Sequence, residues 1–351
     1  MGNEQLTLGN KYPMTQPTDI KMEENEDETI QSTEELVQKI TRIEEIIQSE
    51  ELDSYYGGIH SMIETNDKRI ASGGEDGNIS ISSYSLNQKK WKRDIHKKKA
   101  HNACVNSLCT LNGNRILSGS DDHTIKLWAI FAINMTQIKV INEHTDRVFQ
   151  VIPLSLHRFA SCSFDKTVRI WQDDNDNAYN CITTLEHNDS VFSILQLKGK
   201  EELVSCGYTS IGISFWDINN YTQQHTVKGY GAFWPTHMIE LSDGNIALSA
   251  NVRDFPIVII DTTTYQIVTV IKLKEDIISN SPFCVFNEHS FIYFYNGTFL
   301  QISNDDYSIV FKSKRENFDG DYYGGVITIK GGRYLAVQNR KRISIVKPCG
   351  D

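Results

Sequence analysis

His101 to Trp128 reads HNACVNSLCTLNGNRILSGSDDHTIKLW, and His144 to Trp171 reads HTDRVFQVIPLSLHRFASCSFDKTVRIW, the same sentence displaced by 43 residues. His187 to Trp216, HNDSVFSILQLKGKEELVSCGYTSIGISFW, is a third copy at a spacing of 43 to 45, and Gly57 to Tyr84, with IASGGEDGNISISSY, is a weaker fourth. Inside each copy three short runs alternate apolar and polar side chains between turn residues, as in VNSLCTL, RILSGS and TIKLW, with Asn112-Gly113 joining the first two. Alternation with period two and an Asn-Gly turn predict an antiparallel meander. A further run follows each Trp (TQIKVIN, CITTLE, QQHTVKG), giving four strands in about 43 residues, which is the repeat length of a propeller blade.

The copies share four positions: a His that opens the unit, a Ser in the second strand, an Asp in the next turn and a Trp in the third strand. On these positions the chain resembles the WD40-repeat family. His101, Ser118, Asp122 and Trp128 match all four, as do His144, Ser161, Asp165 and Trp171; His187, Ser205 and Trp216 match three, with Thr209 in place of Asp. The resemblance implies that in each unit the His bridges Asp and Ser while the Ser reaches the Trp indole. Only Trp216-Asp217 spells the dipeptide that gives the family its name.

Beyond residue 218 the four positions fade but the strand rhythm continues through LSDGNIALSA, PIVIIDTTTYQIVTVIKL, FCVFNEHSFIYFYNGTFLQIS and GVITIKGGRYLAVQNRKRISIVK. Dividing the 295 residues from Gly57 by the period gives close to seven, so the expected fold is an all-β, seven-bladed WD40-type β-propeller over 57–351, preceded by an acidic, partly helical arm over 1–56. The chain ends at RISIVK, the third strand of the last unit, with only Pro348-Cys349-Gly350-Asp351 remaining, which predicts that an N-terminal strand, Gln5 to Leu8 or Leu52 to Tyr56, closes the ring.

The formal charge of −10 belongs to the arm. Residues 1–56 hold fourteen acidic and four basic residues, while the rest holds 31 of each. A neutral body gives no general attraction to nucleic acid, so DNA is not expected as a partner. Within the arm, residues 1–31 have a disorder-prone composition. Ser32 and Glu35 then form a capping box, and Leu36, Ile40, Ile43 and Ile47 draw an apolar stripe on a helix expected over about 33–49, packing on the ring or on a partner. The Met1-Gly2 start departs from a myristoylation pattern, with Leu6 where a hydroxyl is wanted. Lys89 to Lys99, KKWKRDIHKKK, places seven basic residues in eleven on an expected outer strand, a solvated edge or a contact for an acidic partner or the chain's own arm.

No apolar stretch approaches the ~20 residues of a membrane span and no secretory start is present, so the expected location is the cytoplasm, with the nucleus as the alternative. Seven Cys without a CxxC pair suggest neither a disulfide framework nor a zinc site. No cofactor or metal is expected. The recurring Ser, His and Asp invite a comparison with a hydrolase triad, but a catalytic set is needed once and a brace is needed in every blade. GxxxxGK[ST], HExxH and GxSxG are absent, and the Gly73-Gly74 and Gly324-Gly325 pairs read as turns.

The expectation for function is therefore a non-catalytic interaction scaffold that binds proteins or peptides, the alternative being a substrate-receptor or regulatory subunit of a larger enzyme such as a ubiquitin ligase. The WDxR sequence common in such receptors is missing, since Trp216-Asp217 continues Ile218-Asn219. Carrying over the family's top-face positions, five residues after each opening His and just before each Asp, names Asn106 with Asp121, Phe149 with Phe164 and Phe192 with Tyr208. Alignment adds His60 with Glu75, and Trp234 falls near the same rim. Alternation of Phe149 and Phe192 with Val148 and Val191 leaves open whether those rings fill the core or face a partner.

Overall fold

The computed structural model describes residues 58–346 apart from 86–89, 155–156, 175–178, 208–211, 229–234, 251–256, 274–282, 296–297, 313–325, 330–333 and 340–341. The arm, its expected helix, both candidate closing strands and Gly324-Gly325 lie outside the described residues.

The alternating runs form antiparallel four-stranded sheets, each a meander in chain order, at 59–97, 105–141, 148–186, 191–227, 235–271 and 283–312. They are blades one to six. A last sheet, 326–346, has three strands. The count of seven complete blades is thus corrected, among the described residues, to six four-stranded blades and a three-stranded sheet. The period predicts a sheet from each unit, and the strands Val326–Ile329, Tyr334–Asn339 and Arg342–Val346 form one without a fourth partner among the described residues. The innermost strand of each sheet contacts that of the next, and the innermost strand of the last sheet returns to Ile59–Glu64 of blade one, so the arrangement is circular. The result is an all-β β-propeller. Among the described residues no helix is long and apolar enough to cross a membrane.

Alternation gives each blade two apolar faces, and the core lies between blades. Ile79, Ile81 and Ile95 of blade one meet Ile116, Trp128 and Met135 of blade two; Leu117, Leu127 and Ile141 of blade two meet Phe159, Trp171 and Tyr179 of blade three. The same layering continues between blades three and four, four and five, and five and six. Close to the axis the blades converge and side chains must shrink. A Cβ on Gly73 would lie 2.7 Å from Val105, and one on Gly119 would lie 2.8 Å from Val148, both the first residue of the next blade's inner strand. Gly73 and Gly74 therefore sit within the strand Ile70–Gly74 and not in a turn as their pairing suggested. The close approach of the neighbouring backbone and side chain, rather than a bend, accounts for them.

On the underside a second device links neighbours. The turn between the first two strands of one blade reaches the turn between the last two strands of the next. Arg69 donates to the carbonyls of Phe131 (2.8 Å) and Ala132 (3.0 Å), and is itself held by Asp67. Lys200 donates to the Thr262 carbonyl at 2.8 Å, Tyr307 donates to Asp243 at 2.6 Å, and Arg115 lies 3.9 Å from Asp173. The partners are 58 to 64 residues apart and use different chemistry each time, so no repeated residue marks them in the sequence.

Candidate functional site: a polar and an aromatic half on one rim

In blade two, Trp128 Nε1–H donates to Ser118 Oγ at 2.8 Å, Ser118 Oγ lies 2.6 Å from His101 Nε2, and His101 Nδ1 lies 2.9 Å from Asp122 Oδ2. Blade three repeats the chain, with 2.8 Å from Trp171 to Ser161, 2.7 Å from Ser161 to His144 and 2.7 Å from His144 to Asp165. One proton assignment satisfies every member: the His donates from Nδ1 to the carboxylate and accepts the Ser hydroxyl at Nε2. Thr124 and Thr167 add hydroxyl bonds to the carboxylates, at 2.6 and 2.7 Å. Burial pulls each Asp upward, but bonds from the His, the Thr and a backbone N–H outweigh it and hold Asp122 and Asp165 well below the ordinary carboxylate range. Burial also lowers His101, against the pull of Asp122, so a neutral imidazole fits the assignment.

In blade four, Trp216 and His187 meet Ser205 at 2.8 and 2.7 Å, but His187 Nδ1 lies 3.0 Å from the Leu185 carbonyl. A backbone oxygen stands where the earlier blades use a carboxylate. Thr209 lies outside the described residues. With no counter-charge among the described residues, burial pushes His187 down to about 4. Ser118 and Ser161 are 0% exposed and their oxygens accept from an indole, so these hydroxyls are shielded from any substrate. The constellation joins the loop entering a blade to its second and third strands.

The rim positions form a different set. His60, Asn106, Phe149 and Phe192 are each the second residue of an innermost strand, and Glu75, Asp121 and Phe164 each directly follow the second strand of their blade. At each of the four second residues the pairing register shifts by one, a β-bulge. A bulge releases its residue from the in-out alternation and re-aims the side chain, here toward the end of the blade.

Phe149 packs on Phe192 with centroids 4.5 Å apart, Phe164 lies 5.6 Å from Phe149 and 5.9 Å from Phe192, and Phe164 remains 39% exposed. Phe149 and Phe192 are half-buried. On blades one and two the equivalent pairs are polar: His60 Nε2 lies 3.5 Å from Glu75, and Asn106 Nδ2 donates to Asp121 at 2.7 Å and to the Val148 carbonyl at 3.0 Å. Tyr208 and Trp234 lie outside the described residues. Among the described residues no group of three or more His, Cys, Asp and Glu could hold a metal ion.

The remaining site features are scattered. The strand Lys90–Lys97 is the outer strand of blade one, with Lys97 Nζ 5.9 Å from the Trp128 ring centroid and Lys92 3.3 Å from Asp94. Sequence reasoning missed the Arg69-held turn of blade two, where Phe131 and Ile133 are exposed; the apolar run IFAI offered a signal, but it reads equally as strand.

Residues 92–129 and 135–172 match the family model described as WD domain, G-beta repeat. The crystal structure of the WD40 beta propeller domain of Doa1 is similar, with a TM-score of 0.67 at 16% identity, covering 85% of this chain and 95% of that one, a likeness of fold. With two repeats that match the family model, inside a propeller braced by the His, Ser, Asp and Trp positions of those repeats, the chain carries WD40 repeats in a β-propeller fold.

Proposed function

We propose that this chain is a non-catalytic scaffold that holds protein or peptide partners on the rim where Phe149, Phe164 and Phe192 meet. Propellers of this family generally serve as interaction scaffolds. The observation that carries the reading is the bulged pair Phe149 and Phe192, half-buried rings that form, with the exposed Phe164, one apolar patch across two blades, Phe149 also packing on the core between them. Apolar rings gathered at a surface are typical binding anchors. The burial of Ser118 and Ser161 supports a bracing role for the only repeated triad-like set described.

The test is affinity capture with crosslinking from the native cell, comparing the unaltered chain with Phe149→Ala/Phe164→Ala. Loss of the captured partners with a melting temperature close to that of the unaltered chain is expected. Capture that is unchanged by the double substitution, in a folded protein, places the binding surface elsewhere.

We further propose that a strand from before Gly58 joins the three-stranded sheet and makes it a seventh blade. The circular contact between that sheet and blade one supports this, since closure would pair the edge of Arg342–Val346 that has no strand partner among the described residues. Deleting residues 1–31 distinguishes the candidates: an unchanged melting temperature eliminates Gln5 to Leu8 and leaves Leu52 to Tyr56.

A further inference from the structure

The same two rim positions carry opposite chemistry on neighbouring blades. Blades one and two present Glu75 and Asp121; blades three and four present the three phenylalanines. The halves are contiguous, because Asn106 ties the Asp121 carboxylate to the carbonyl of Val148, the residue before Phe149. That amide spends its bonds on one oxygen of Asp121 and on the backbone; the other oxygen, Oδ2, has no hydrogen-bond partner among the described residues. Glu75 is 47% exposed and meets His60 only at 3.5 Å.

Cys104 reports the local field. Burial is the main reason its thiol is pushed up, and Asp121, Glu75 and Asp76 push in the same direction, with Arg147 opposing. Around this thiol three carboxylates face one guanidinium, that of Arg147. Asp76 is engaged with the Asn78 backbone and amide, so Glu75 and Asp121 are the carboxylates with capacity to spare.

Resting on the scaffold reading above, we propose that the occupant of this rim is an extended segment of a partner protein that sets a lysine or arginine beside a bulky apolar side chain. The cation lies over blades one and two at Glu75 and Asp121, and the apolar group lies on Phe149, Phe164 and Phe192. An acidic or uncharged apolar segment would bury the phenylalanines equally well but leave the carboxylates facing like charge or losing water without a counter-charge. The close mutual packing of the three rings, 4.5 to 5.9 Å between centroids, leaves a filled apolar surface rather than an open cage, which suits an aliphatic or aromatic side chain laid on it.

The experiment selects from a displayed library of random twelve-residue peptides on the immobilised full chain, then measures synthetic copies of the enriched peptides against Phe164→Ala and Glu75→Gln/Asp121→Asn. Enrichment of Lys or Arg within three residues of Leu, Ile, Met, Phe or Trp is expected. Affinity should fall about tenfold or more for Phe164→Ala, as for an anchor residue. It should fall about three- to tenfold for the amide pair, by a margin that shrinks with added salt. Peptides that need Phe164 but carry no basic residue, or that bind the amide pair unchanged, overturn this inference and leave the scaffold reading standing. Peptides indifferent to Phe164, or no enrichment at all, remove both.

Discussion

Blades two and three and blades five and six solve one packing problem with different chemistry. In the first pair, the second-strand position at Ser118 and Ser161 is polar, and the diagonal third-strand position, opposite Ile116 and Phe159, is Trp128 and Trp171, tied through the hydroxyl to a buried imidazole. Strand register places Leu248 and Tyr293 at the Ser position and Ile260 and Ile302 at the Trp position, all buried. Those residues join the apolar layers against blades four and five. A fully satisfied polar network and a well-packed apolar core are alternative ways to fix the same strands, and neither is intrinsically the more stable. What differs is the penalty for partial loss: a network missing one member leaves buried polar groups unpaired, whereas an apolar layer missing one methyl leaves only a small cavity.

The largest expected effect is on the indole. Trp171→Ala removes a side chain that is fully buried and stacked on Phe159, and should cost ~3–5 kcal/mol by denaturant melts. Unchanged stability there would break the assignment of this position as a core keystone. Leu248→Ser, which writes the residue of blades two and three into blade five without its Trp and His, combines lost apolar burial with an unpaired hydroxyl and should cost ~2–5 kcal/mol. Were it neutral, the two solutions would be interchangeable residue by residue, contrary to the comparison.

Asp165→Ala leaves His144 Nδ1–H and the Thr145 N–H without their acceptor and should cost ~1–3 kcal/mol. His187→Gln in blade four should cost less, because its Nδ1 partner is a backbone carbonyl rather than a carboxylate.

Acid should act in two windows, traced by melting temperature against pH. His187 is held near 4 in the fold against ~6.5 in the unfolded chain, so its contribution is present above pH ~6.5 and fades as pH falls through that interval. Asp122 and Asp165 are depressed as well, so their contribution is present above ~3.9 and is lost only at lower pH still. Burial also lowers His237, His101 and His96, so His187→Gln should narrow the first window without abolishing it and leave the second. A first window left unchanged by this substitution assigns it to those other histidines alone.

Much of this was legible because it repeats. Trp, Ser and His at fixed offsets betray the braces of blades two to four, and alternation carries the strands onward when those residues give way to Leu248 and Ile260. The rim was half legible. Its positions could be named by counting from each His, but whether Phe149 and Phe192 face the core could not be read, since alternation assumes a regular strand. The bulge at the second residue of the inner strand in blades one to five breaks that assumption, and nothing in VFQV or VFSI announces it. Gly73 misled for a similar reason: a glycine chosen for the space beside Val105 looks in sequence like one chosen for a turn.

The sequence by itself determined what depends on neighbours in the chain: strand period, meander order, the composition of each blade's faces and the charge confined to the first 56 residues. Only the tertiary structure decided what depends on residues some 60 apart, such as Arg69 on the Phe131 carbonyl and Tyr307 on Asp243. The same holds where residues of adjacent blades converge, as with the carboxylate of Asp121 set beside the phenylalanines of blades three and four. Local periodicity is fixed by the geometry of one strand, whereas those contacts exist only once the ring brings successive blades face to face.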